Sequence, residues 1–79
     1  TGQEKSMKPG DLFRCDAPVW TFLGRKFSHD LQRDDVFIVV GPTSGDVVSG
    51  VKSAVDIICK FGKCSINQSF STSESVKLL

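Results

Sequence analysis

Val55-Asp56-Ile57-Ile58-Cys59-Lys60-Phe61-Gly62-Lys63-Cys64-Ser65-Ile66 decides the fold, because it reads either as the end of a helix or as two strands folded back on each other. Helical spacing runs through Val47, Val48, Val51, Ala54, Val55, Ile58 and Cys59, with Asp46 placed to cap the start and Gly62 to stop the end. Most of those positions are valine or isoleucine and Gly50 lies among them, each costing a few tenths to about 1 kcal/mol in a helix. Propensity therefore favours extended backbone. With Phe61-Gly62 as the turn, Lys60 faces Lys63 and Cys59 faces Cys64, which puts Val55, Ile57, Cys59, Cys64 and Ile66 on one side. Asp56, Ile58, Lys60, Lys63 and Ser65 fall on the other. Only Ile58 breaks this division into an apolar and a polar face, and the like-charged lysines can both extend into water. We read a hairpin, with an α+β chain carrying a helix over 47–60 as the alternative.

Upstream, Val36-Phe37-Ile38-Val39-Val40 is β-branched and aromatic, fenced by Asp34-Asp35 before and Gly41-Pro42 after. It is too short for a helix of its own, so it reads as a central strand buried for most of its length. The double aspartate serves as a turn and as a charged gate before an aggregation-prone strand. Pro9-Gly10-Asp11 is turn chemistry leading into Leu12-Phe13-Arg14-Cys15, and Asp16-Ala17-Pro18 ends that strand. Val19-Trp20-Thr21-Phe22-Leu23 is a further strand, with Gly24-Arg25 as a turn into the irregular Lys26-Phe27-Ser28-His29-Asp30-Leu31. Downstream, Asn67-Gln68-Ser69-Phe70 reads as one helical turn carrying a buried aromatic, and Val76-Lys77-Leu78-Leu79 as a closing strand.

Seventy-nine residues make one domain, and a core of this size supplies about 3–5 kcal/mol of net stability. Residues 1–6 read as a cloning remnant or disordered tail, Met7 as the natural start, and 7–79 as the domain. Ten basic against nine acidic residues argue against a dedicated polyanion binder and against an acidic DNA mimic. No apolar run approaches the ~20 residues of a spanning helix, and no signal-peptide pattern opens the chain, so a cytoplasmic setting without membrane attachment is expected. Cys15, Cys59 and Cys64 are an odd number in a short chain, which suits reduced thiols better than a secreted disulfide framework.

The string Gly62-Lys63-Cys64-Ser65-Ile66-Asn67-Gln68-Ser69-Phe70, followed by Val76 and Leu78, resembles the closing part of an SH3-like barrel. Lys8-Pro9-Gly10-Asp11-Leu12 resembles the opening strand of such barrels, and the layout is similar to small uncharacterised phage proteins of that type. The resemblance implies an antiparallel barrel of about five strands with a single 3₁₀ turn and a last strand that returns to the first. This chain lacks the tyrosine-rich groove and paired tryptophan of signalling SH3 domains, so the likeness bears on fold and leaves ligand class open.

Cys15, Cys59 and Cys64 with the sole histidine, His29, would compose a Cys₃His zinc set, but the tight Cys-x₂-Cys knuckle is missing. Buried free thiols are the expected state, ahead of a cross-strand disulfide or zinc. His29-Asp30 with Cys15 or a serine would suit nucleophile activation, yet adjacency supplies neither a third group nor an oxyanion site, and a small barrel has little room for a pocket. No enzyme activity and no cofactor are expected. Arg14, Arg25, Lys26 and Arg33 alternate with Phe13, Trp20, Phe22 and Phe27, the mixture of a single-stranded nucleic-acid platform, although Asp30, Asp34 and Asp35 weaken phosphate attraction. The expected role is a non-catalytic protein-interaction module, monomeric or weakly dimeric, that binds a protein partner through Trp20, Phe22, Arg25, Lys26 and Phe27, with nucleic acid as the alternative ligand.

Overall fold

The computed structural model describes residues 7–79; the expectation for residues 1–6 concerns positions outside the described ones. Among the described residues seven strands form one antiparallel sheet: β1 Leu12–Cys15, β2 Val19–Leu23, β3 Lys26–Leu31, β4 Val36–Pro42, β5 Ala54–Cys59, β6 Gly62–Asn67 and β7 Val76–Leu78. A 3₁₀ turn, η1 Gln68–Ser71, precedes β7. The strand order is β3-β2-β6-β5-β4-β1-β7, so the last strand does return to the first. Among the described residues there is no α-helix. The alternative of a helix over 47–60 therefore falls: 47–53 is irregular and 54–59 is strand, as the density of valine and isoleucine requires.

The expected barrel of about five strands is corrected in two respects. Residues 26–31, expected to be irregular, form a strand paired with the expected strand at 19–23, because Gly24 takes φ +61 at the first turn position and gives the right twist for a two-residue hairpin. The sheet also stays open, since β3 and β7 are its two edges and do not pair. β7 is three residues long, and β3 carries an extra residue at Ser28-His29 besides the charges of Lys26 and Asp30. Short, bulged and charged strands resist further pairing.

One face of the sheet holds the core. Phe13 and Phe37 are cross-strand partners with ring centroids 5.6 Å apart, and Val19, Leu31, Ile57 and Ile66 pack beside them. Met7 is buried in the same cluster. The expectation that the β4 run is buried for most of its length is also corrected: only Phe37 and Val39 point inward, while Val36, Ile38 and Val40 are exposed. Antiparallel sheets commonly cover one face and leave the other to solvent, so a continuous apolar run still alternates in burial.

The decisive hairpin forms with a shifted turn. Cys59 pairs with Gly62 and Ile57 with Cys64, leaving Lys60-Phe61 as the connection, and Gly62 adopts φ +96. A positive φ just after a tight turn is the conformation of a bulge glycine. The pairing differs by two residues from the expected Cys59-Cys64 register. Because side-chain period is also two, every residue keeps its expected face. Val55, Ile57, Cys64 and Ile66 are buried, and Ile58 and Lys63 are exposed partners on the other side.

Candidate functional site

Trp20 is the hub of the aromatic residues. It lies on β2 opposite Asp30, and its ring centroid is 5.5 Å from Phe27 and 5.3 Å from Phe70, both edge-on, and 6.0 Å from Phe22. Phe22 and Phe27 are direct partners across the β2–β3 hairpin. Phe70 arrives from η1, which Asn67 starts by accepting the Ser69 N–H at 3.0 Å and Thr72 closes by donating its N–H to the Ser69 carbonyl at 3.1 Å. One side of Phe70 packs on the core and another meets Trp20.

Phe22 departs from its expected role as a contact residue, since it is fully buried opposite Ser65 of β6. Its ring anchors the hairpin. Phe27 is 67% exposed, and Arg25 and Lys26 at the hairpin tip are exposed with it. Of the five expected site residues, the structure thus gathers Trp20 and Phe27 beside two exposed cations and withdraws Phe22. Phe70 completes the cluster. The sequence marked it as an inward aromatic, but its proximity to Trp20 depends on where η1 falls against β2, and no local pattern encodes that.

The remaining candidate residues are dispersed. Phe13 is in the core, Arg14 sits on the outer face of β1 with Nε 3.5 Å from Asp16, and Arg33 is in the turn between β3 and β4. His29 stacks on Phe61, with centroids 4.5 Å apart, and Lys60 lies with Nζ 5.1 Å from the Phe61 centroid. Lys60 also pairs with Asp35 at 3.1 Å, so the β5–β6 turn leans on β3 and on the β3–β4 turn. Asp35 accepts the Gln32 backbone N–H at 2.7 Å; that bond and then Lys60 hold its carboxyl below the usual range. Cys15 is in the core, and no hydrogen bond joins it to His29 or Asp30 among the described residues.

All three cysteines are free thiols. Burial, reinforced by the charge of Asp35, pushes the Cys15 thiol up to about 11. Burial, reinforced by the Cys59 thiol, pushes Cys64 up to about 12. Cys59 and Cys64 are 3.6 Å apart, but Cys15 and His29 do not join them: among the described residues no three His, Cys, Asp or Glu side chains converge to hold a metal ion. On the outer face, Asp56 accepts from the Thr43 and Ser65 hydroxyls, each at 2.8 Å, and satisfies the buried Ser65. No helix among the described residues is long and apolar enough to cross a membrane. Compared with family models, with curated proteins and with solved structures, the chain has no match.

Proposed function

We propose that the chain is a non-catalytic, SH3-like protein-interaction module that docks its partner on Trp20, Phe27 and Phe70, with Arg25 and Lys26 at the rim. The observation that carries this reading is the exposure of Phe27, 67%, on a ring held edge-on to Trp20 by a two-residue hairpin. A solvated phenyl braced by a half-buried indole, next to an arginine, has the composition of an interface hot spot. Support for an SH3-like course comes from the adjacent first and last strands and from the 3₁₀ turn before β7. Departures are the open edge and the number of strands.

The free edge of β3 is blunted by its bulge and charges, so docking proceeds through side chains rather than by strand addition. The preferred partner is an extended peptide with an apolar side chain for the Phe27–Trp20 surface and an acidic neighbour for Arg25 or Lys26. Peptides selected from a random library on the folded chain test this. Binding is expected to be lost in Phe27→Ala combined with Arg25→Glu while the circular dichroism spectrum is unchanged. Undiminished binding by the folded double variant rejects the surface. The exposed ring beside two cations also favours a second reading, single-stranded nucleic acid stacked on Phe27. Titration with an oligothymidylate at two salt concentrations separates the readings, because phosphate-driven binding must weaken as salt rises.

A further inference from the structure

Cys59 and Cys64 are two thiols that the fold brings into contact. β5 ends on Cys59 and β6 begins at Gly62, so both side chains project towards the core, two residues apart along the ladder, with Cys59 paired to Gly62 and Cys64 to Ile57. Their sulfurs are 3.6 Å apart, and the gap left to close before a disulfide forms is about 1.5 Å. Their exposure is unequal. Cys59 is half-buried at the foot of the Lys60-Phe61 turn and donates to the Gly62 carbonyl at 3.5 Å, while Cys64 is 2% exposed. Cys15 is wholly buried. A reagent arriving from solvent therefore meets Cys59 first, with Cys64 in contact with it.

We propose that Cys59 and Cys64 form a thiol–disulfide exchange site for low-molecular-weight disulfides of the glutathione class, with Cys59 the attacking sulfur and Cys64 the resolving one. Cys59 gives its proton to water, and the thiolate attacks one sulfur of the small disulfide. That sulfur–sulfur bond breaks, and the first small thiolate departs and takes up a proton. Cys59 now carries a mixed disulfide. Cys64 attacks the Cys59 sulfur, its proton passes to the second departing thiolate, and the Cys59–Cys64 bond forms. Two protein thiols have been oxidised by two electrons in all, and one small disulfide has been reduced to two thiols.

The surroundings divide the two roles. Burial, reinforced by the Cys59 thiol, holds Cys64 protonated, with the Thr21 hydroxyl working the other way. Such a thiol reacts poorly with a reagent in solution. Against a sulfur already in contact, the encounter is intramolecular, and a less acidic thiol is the stronger nucleophile once its proton leaves. The bond also reaches β3. Closing the gap pulls on the turn that starts after Cys59, where Phe61 stacks on His29 with centroids 4.5 Å apart and Lys60 pairs with Asp35 at 3.1 Å. Neither cysteine belongs to the Trp20–Phe27 surface, so the exchange site stands or falls apart from the docking reading.

Incubation of the reduced full chain with oxidised glutathione at neutral pH, followed by acid quench, alkylation of the remaining thiols and mass spectrometry, tests this. Trypsin cuts after Arg14, Arg25, Lys52, Lys60, Lys63 and Lys77, which puts Cys15, Cys59 and Cys64 on the separate peptides 15–25, 53–60 and 64–77. Peptides 53–60 and 64–77 are expected to be joined by a bond that reduced glutathione reopens, and Cys15 to be alkylated. Cys64→Ser is expected to stop with one glutathione on Cys59, and Cys64→Ala serves the same purpose should the serine variant fail to fold. Cys59→Ser, folded by circular dichroism, is expected to react roughly tenfold or more slowly. A native chain that stays reduced, that stops with glutathione on Cys59, or that joins Cys15 to either partner overturns the proposal. So does a folded Cys59→Ser variant modified at Cys64 at the native rate. The His29 ring-proton signals are expected to move on oxidation and to return on reduction; signals that stay fixed once the bond has formed overturn the transmission to β3.

Discussion

Cys59 and Cys64 lie diagonally across the β5–β6 ladder with their sulfurs 3.6 Å apart, near enough to share a proton and well beyond the ~2.05 Å of a disulfide. The shifted turn is responsible, since it sets Cys64 opposite Ile57 and leaves Cys59 against Gly62. The two thiols consequently have different surroundings. Cys59 is half-buried and bonds to the Gly62 carbonyl at 3.5 Å, whereas Cys64 is closed off in the core.

Thiol labelling of the native protein near neutral pH is therefore expected to modify Cys59 first and to leave Cys15 and Cys64 protected until the fold opens. Mass spectrometry after a short pulse of iodoacetamide reads the order directly. Both buried thiols titrate above the ordinary value of 9.0, at about 11 and about 12. The unfolded chain thus releases these protons before the folded one does. The stability linked to them is complete below about pH 9 and drains away as pH rises through the two folded values. Early labelling of Cys64, or a denaturation midpoint that holds steady from pH 9 to 11, would contradict this assignment.

Asp35 predicts the opposite pH behaviour. Its carboxyl is held low by the Gln32 N–H and by Lys60, so the stability it confers is present above the unfolded carboxylate range near pH 4 and disappears as pH falls through the lowered folded value. Asp35→Asn should lower the melting temperature at neutral pH, and the gap to the native chain should narrow below about pH 4. A gap that widens in acid would show that the residue acts through something other than its charge.

Gly62 gives a test free of side-chain packing. A Cβ placed there meets nothing within 4 Å, so alanine adds no clash, yet the backbone is held at φ +96. Gly62→Ala is expected to cost about 1–2 kcal/mol through backbone strain alone. Urea denaturation with an unchanged m-value checks it, and a neutral result would mean that the turn relaxes into another type.

Residue alternation carried the most legible part of this fold. The faces of β5 and β6 could be read from Val55, Ile57, Cys64 and Ile66 even with the turn misplaced by one residue, because a two-residue change of register preserves parity. Val36 to Val40 misled for the complementary reason: five apolar residues in succession hide the alternation that burial imposes, and Ile38 and Val40 owe their exposure to which neighbours cover them. The site was half legible. Trp20 and Phe27 belong to one hairpin, and local spacing relates them. Phe70, and the burial of Phe22 against Ser65, follow from strand order, which composition and period do not specify.

The β2–β3 hairpin joins the rest of the sheet through one ladder position, Phe22 opposite Ser65. By paired backbone that is the thinnest seam among the described strands, and side-chain packing reinforces it: Val19 and Leu31 lie in the core, Trp20 meets Phe70 and His29 stacks on Phe61. The recognition proposed at Phe27 and the cohesion at Ser65 are then two ends of one lever. A change that loosens this rung reaches the proposed docking surface without altering any residue on it, and on that proposal a partner that grips the hairpin tightens the seam in return.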